Sequence, residues 1–235
     1  LALGTRLALY AVLVPFLLAT FSVHRVKILP RPPGEALRLA WEDVSFPARG
    51  TPRPTLRGWF FPLRKPLGTV LACHGVGANR ADLLDITWIL HDAGFQVLAF
   101  DFRGHGESDG HTVTYGLEEK DDVLGAWDYL LSRNDVDPDR ILGFGVSMGA
   151  ATLLLALPDL PRVRAAIADS AFADLESMAR HQYRLFPDAV AGALAGATAF
   201  FGWIETGIRV ADVSPLRALE RIRIPIHFFH GSEDR

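Results

Sequence analysis

The feature that most constrains this chain is a series of five short apolar runs, each stopping abruptly at a polar or glycine-bearing cluster. Residues 69–73 stop at His74-Gly75, residues 96–100 at Asp101, and residues 140–144 at Gly145. Residues 163–168 stop at Asp169-Ser170, and residues 226–229 at His230-Gly231. Runs this short that are apolar on both faces suit the buried strands of a parallel sheet. Helical spacing fills the gaps. Residues 81–93 carry Leu83, Leu84, Ile86, Trp88, Ile89 and Leu90 and stop at Gly94. Residues 117–131 place Val123, Leu124, Trp127, Leu130 and Leu131 on one stripe, and residues 148–157 form a small-residue helix ending before Pro158. Two further strands, 37–46 and 56–61, flank a turn-rich stretch at 47–54. The alternation predicts an α/β fold with a mainly parallel central sheet and helices on both faces. Open sheets of this kind bind ligands beyond the carboxyl ends of their strands, where every polar cluster above lies.

Composition narrows the function classes. Twenty-four Lys+Arg against 27 Asp+Glu give a net charge of −3, which leaves no electrostatic footprint for nucleic acid. One cysteine excludes an internal disulfide framework and a cysteine-based zinc site. Cys73, inside an apolar run, reads as a small buried residue. No metal or organic cofactor is implied.

Residues 7–23 carry no charge for 17 positions. That is close to the shortest stretch that spans a bilayer, about 17 residues. We read it as a single-pass transmembrane anchor, over a cleaved signal peptide or a buried or interfacial helix. Pro15 is tolerable in a membrane helix. Arg25, Lys27 and Arg31 on the following flank put the main domain in the cytoplasm by the positive-inside bias. Residues 24–35 form a proline-rich linker, and the globular domain is expected over 36–235. The sequence begins at Leu1 and stops at Gly231-Ser232-Glu233-Asp234-Arg235, which reads as the middle of a motif. It is therefore expected to be a fragment, incomplete at its C-terminus.

Gly145-Val146-Ser147-Met148-Gly149 has the pattern G-x-S-x-G between a predicted strand and a predicted helix. That context predicts a strained strand-to-helix turn with Ser147 as an exposed nucleophile. The competing reading, a serine that only caps the helix, is weaker there. A serine hydroxyl needs a base and oxyanion donors. The donors are expected to be the N–H of Met148 and an N–H from the loop His74-Gly75-Val76-Gly77, with Val76 favoured over its neighbour Gly75. His74 is expected to organise that loop. Gly75 and Gly77 let backbone approach a substrate.

Together these residues resemble the α/β-hydrolase superfamily. The matching pieces are His74-Gly75-x-Gly77, Asp101-x-Arg103-Gly104-His105-Gly106-x-Ser108, Gly145-x-Ser147-x-Gly149 and Pro225-x-x-x-x-His230-Gly231-x-x-Asp234. Within it the chain is most similar to the serine aminopeptidase-like hydrolases. The resemblance implies an α/β-hydrolase fold and the triad order serine, acid, histidine. Asp234 matches the acid, with Asp169 and Asp174 as alternatives. The eight histidines all precede Asp234, so the resemblance implies a base beyond residue 235. It also implies that the insert at 172–213 is a helical lid, with helices near 175–185 and 189–208. Phe186, Phe200, Phe201 and Trp203 would supply its apolar surface, and Phe172 is expected to contact substrate.

The function expected is a serine hydrolase that cleaves an ester, thioester or amide of a small-molecule or lipid-like acyl substrate, without cofactor. The alternatives are a peptidase of aminopeptidase type and a non-catalytic scaffold used for binding.

Overall fold

The computed structural model describes residues 3–34, 38–160 and 162–232, with side chains described from Leu9 onward. Seven strands make one sheet: β1 Glu42–Pro47, β2 Thr55–Phe61, β3 Gly68–Cys73, β4 Phe95–Phe100, β5 Ile141–Val146, β6 Val163–Asp169 and β7 Ile226–Phe229. Their spatial order is β1-β2-β4-β3-β5-β6-β7. The β1-β2 and β2-β4 pairs are antiparallel, and the remaining pairs are parallel.

Strand β3 is buried at every residue because it lies between β4 and β5. Its side chains alternate between two cores. Leu71 and Cys73 join Leu98 and Phe100 on one face, with Trp127 and Leu130 of α3 (Glu119–Ser132) and Leu153 of α4 (Met148–Ala156). Val70 and Ala72 join Trp59, Val97 and Ala99 on the other, against Leu84, Ile86 and Leu90 of α2 (Leu84–Asp92). Burial on both faces is why these strands read as continuous apolar runs. Helix α4 is buried nearly all round, consistent with its Ala and Leu content.

The insert after β6 folds as α5 (Leu175–His181) and α6 (Asp188–Thr206), followed by the short α7 (Pro215–Leu219). Helix α5 stops earlier than its apolar pattern extends. Turns replace it over 182–186, with Tyr183 N donating to Arg180 O and Phe186 N to Tyr183 O, and Pro187 bars continuation. The N-terminal helix α1 (Leu3–Val23) packs along α6. Phe16 meets Phe201 edge-on at 5.4 Å, and Thr20 Oγ1 donates to Glu205 at 2.6 Å. Its other side exposes Leu13, Val14, Leu17 and Phe21. Among the described residues, Asp188–Thr206 is the helix long and apolar enough to cross a bilayer, with a mean hydropathy of 1.2; Leu9–Val23 is a shorter apolar segment.

Candidate active site

The strand-to-helix turn between β5 and α4 is tight. Ser147 has φ +52°, where a side chain crowds its own backbone. Two glycines make the turn feasible. A Cβ on Gly145 would sit 2.6 Å from Ala150 Cα, and one on Gly149 would collide with the carbonyl oxygens of Cys73 and His74. The turn is held by Ser147 N donating to Asp169 O at 2.8 Å and by Ala151 N donating to Ser147 O at 3.0 Å. The Ser147 side chain makes no cap hydrogen bond, so the helix-capping reading of this serine fails.

The loop leaving β3 lies against this turn. A Cβ on Gly75 would be 3.5 Å from Ser147 Cβ. Residues 75–78 form a turn closed by Ala78 N to Gly75 O, and Gly77 occupies its third position at φ +73°. That backbone suits glycine and turns the chain past Ser147. Among the described residues, neither Val76 N–H nor Met148 N–H donates to a protein group. Among the described residues both N–H groups are thus left without a protein acceptor, that of Met148 at a helix N-terminus, where the backbone favours negative charge.

Two buried histidines brace the loop from behind. His74 Nδ1 donates to Gly75 O at 2.7 Å, and its Nε2 accepts from Phe102 N at 3.1 Å. His105 Nε2 accepts from Gly77 N at 3.2 Å, with Nδ1 on Arg103 O at 3.0 Å. Burial, then the neighbouring His105, pushes His74 down to about 3, and burial also lowers His105. Both rings are neutral in the folded protein. The sign follows. Unfolding lets each ring bind a proton below its ordinary value of 6.5. Stability is therefore complete above about pH 6.5 and is lost as pH falls toward 3, at up to about 1.4 kcal/mol per pH unit for His74. Urea midpoints measured between pH 7 and 4 are expected to fall with this slope, and His74→Gln to flatten it. An unchanged slope in that variant would contradict the neutral assignment.

Further back, Asp101 accepts from Arg80 N, the Arg80 guanidinium and Glu107 N. Arg103 holds the fully buried Asp122 through N, Nε and Nη2 at 2.8–2.9 Å. These ion pairs anchor the 101–108 segment that carries His105. Local spacing gave Asp101 and Arg103 no partners. Arg80 is 21 residues from Asp101, and Asp122 is 19 from Arg103.

The sequence-predicted residues Ser147, Met148, Gly75, Val76 and Gly77 thus come together at the carboxyl ends of β3 and β5. Phe172 is half-buried in the loop leaving β6. Asp234 lies outside the described residues. Asp169, the alternative acid, bonds Ser147 N through its backbone, and its carboxylate accepts from Ser170 Oγ at 2.9 Å. A cavity of about 930 Å³ opens on the insert after β6 around Arg180, Arg184 and Arg217 and contains none of these residues. A smaller apolar pocket lies between α1, α5, α6 and the 113–115 loop, lined by Val23, Val113, Tyr115, Met178 and Ile208. No cluster of potential metal ligands occurs among the described residues.

A family model described as serine aminopeptidase, S33, matches residues 64–204, more than half of the chain. The Bacillus subtilis protein YqkD is 31% identical over 182 residues, covering 76% of this chain and 59% of its own length. The Escherichia coli protein YfhR is 34% identical over 145 residues, covering 59% of this chain and 50% of its own length. The chain therefore spans little more than half of these relatives. An esterase of Pyrococcus furiosus superposes with a TM-score of 0.68 at 23% identity, over 88% of this chain and 76% of the esterase. An α/β hydrolase of Vibrio vulnificus gives 0.67 at 19% identity, over 94% and 77%. At those identities the likeness establishes the fold.

Proposed function

The chain belongs to the serine aminopeptidase (S33) family of α/β hydrolases, and from that premise we propose that it is a serine hydrolase working through an acyl-enzyme on Ser147. The observation that carries this reading is the strained Ser147, uncommitted as a cap, beside two unpaired N–H groups. In the proposed reaction a base takes the Ser147 proton while Oγ attacks an acyl carbonyl. The amides of Val76 and Met148 hold the oxyanion. The leaving group departs with that proton, and water then releases the acid by the reverse path.

Asp234 is proposed as the acid that orients the base. The base itself is proposed to be a histidine beyond Arg235, on the family order serine, acid, histidine; His74 and His105 are committed, the first to Gly75 and Phe102, the second to Gly77 and Arg103. Gly75, Gly77 and Phe172 are proposed to contact a small-molecule or lipid-like acyl substrate. We also retain the N-terminal helix as the membrane attachment, with the catalytic domain on the cytoplasmic side of Arg25, Lys27 and Arg31. The bond cleaved is an ester, thioester or amide. An aminopeptidase needs negative charge for a free amino terminus, and the charge beside the Gly77 loop is the cation Arg25, which weighs against that specificity.

Labelling of the full-length protein by a fluorophosphonate tests the reading. We expect stoichiometric labelling that disappears in Ser147→Ala. A folded protein that takes up no label would sink the proposal.

A further inference from the structure

The segment after α1 is strapped to the loops that follow β3 and β4. Val113 N donates to Val23 O at 2.9 Å, Asn79 Nδ2 to Ile28 O at 3.1 Å, and Lys27 Nζ to Ser108 O at 2.5 Å. Between these ties stands Arg25. Its Nη2 donates to Tyr115 Oη at 3.2 Å, and its Nη1 lies 3.5 Å from where a Cβ on Gly77 would be. Tyr115 is held in place in turn. Its hydroxyl lies 3.4 Å from Ser22 O, and the buried Glu119 carboxylate accepts from Thr114 N, Thr114 Oγ1 and Gly116 N on either side of it.

The guanidinium has no carboxylate partner among the described residues. It therefore keeps most of its planar set of donors for a ligand. Position decides which ligand. Gly77 is two peptide units from Gly75, at most about 7.6 Å of chain, and Gly75 abuts Ser147. On the far side, the ring of Tyr115 and the side chain of Val23 line the apolar pocket between α1, α5 and α6, whose other walls include Met178 and Ile208. Reading outward from the serine by these contacts, the order is Ser147, glycine loop, exposed cation, apolar pocket.

We propose that Arg25 makes the mouth of this site an anion subsite, so that the substrate is an amphiphile with a phosphate or carboxylate a few bonds from its scissile carbonyl and an apolar tail in the α1–α5–α6 pocket. This rests on the hydrolase reading above for the word substrate, while the binding itself does not. Arg25 acts as a specificity residue: its forked N–H groups match either anion, and a neutral ester of the same length forfeits that contact. The N-terminal segment thereby belongs to the site as well as preceding it.

The test is a titration of octyl phosphate, octanoate and octanol into full-length Ser147→Ala protein, below the concentrations at which they form micelles. Both anions are expected to bind about two- to fivefold more tightly than the alcohol, as one solvent-exposed ion pair would give. Arg25→Gln is expected to abolish that preference, and Arg25→Lys to keep most of it. The tighter of the two anions identifies the phosphate or carboxylate source. Anions that bind no better than octanol, or a preference that survives Arg25→Gln, overturns the proposal. Because the protein titrated has no nucleophile, the outcome is independent of hydrolysis. Absence of fluorophosphonate labelling in the wild-type protein strikes the hydrolase reading alone.

Discussion

Ser147→Ala is expected to lower kcat for ester hydrolysis by the full-length protein by about 10⁴- to 10⁶-fold while leaving substrate binding nearly intact. The size of the effect follows from what remains. Without the Oγ there is no acyl-enzyme, and attack falls to a water that the site does not position. The two N–H groups beside the turn stay where they are, because Met148 N–H belongs to the first turn of α4 and Val76 N–H to a turn closed by Ala78 and Gly75. They still stabilise an oxyanion, so a residual rate above that in water is expected. Stability is expected to rise slightly if it changes at all, since alanine removes a hydroxyl that makes no cap bond. A variant that keeps more than a tenth of the wild-type kcat would remove Ser147 from the reaction.

Gly149→Ala is expected to damage both stability and rate, although the glycine touches no substrate. The added methyl would press on the carbonyl oxygens of Cys73 and His74, and backbone cannot rotate away as a side chain can. Relief requires α4 to move off β3. Those two elements carry the two halves of the site, Ser147 and Met148 on one and the loop from His74 to Gly77 on the other. Overpacking of this kind costs about 1–3 kcal/mol. A displacement near 1 Å between nucleophile and donors costs about 100-fold in rate. Gly192→Ala in α6 is the control. Its Cβ would meet nothing within 4 Å, so relief of the helical glycine is expected to stabilise by up to about 1 kcal/mol. Denaturant midpoints and kcat of the folded fraction check all of this. Equal behaviour of the two variants would contradict the packing argument.

The difference between these glycines shows which parts of the molecule a linear reading reaches. Strands β3, β4 and β5 are legible because each is a short apolar run buried on both faces, and each ends at a polar or glycine residue; β6 and β7 show the same apolar run, although β7 leaves Phe228 and Phe229 half-exposed. Gly145, Ser147 and Gly149 are legible because strain, turn and close approach all arise within five consecutive residues. The helices of the insert after β6 are legible as apolar stretches, but α5 ends at His181, where the turns ahead of Pro187 outweigh the apolar spacing that continues to Leu185. The short α7 carries too few residues to show a period. The strap is of another kind. Arg25 meets Tyr115 across 90 residues and Lys27 meets Ser108 across 81. Nothing in the spacing around Arg25 separates it from an ordinary flanking charge after an apolar helix. Long-range pairs such as Arg80 with Asp101 and Arg103 with Asp122 stay hidden for the same reason, since they form only once β4 and α3 are packed.

In the proposed reaction an acyl group passes covalently through Ser147. Intact-mass measurement of the full-length protein, quenched in acid within milliseconds of mixing with a 4-nitrophenyl ester, tests it most directly. A mass increase equal to the acyl group less one hydrogen is expected, confined after digestion to the peptide that contains Ser147 and absent from Ser147→Ala. Steady turnover with no adduct on that peptide, or an adduct that persists in Ser147→Ala, would contradict it.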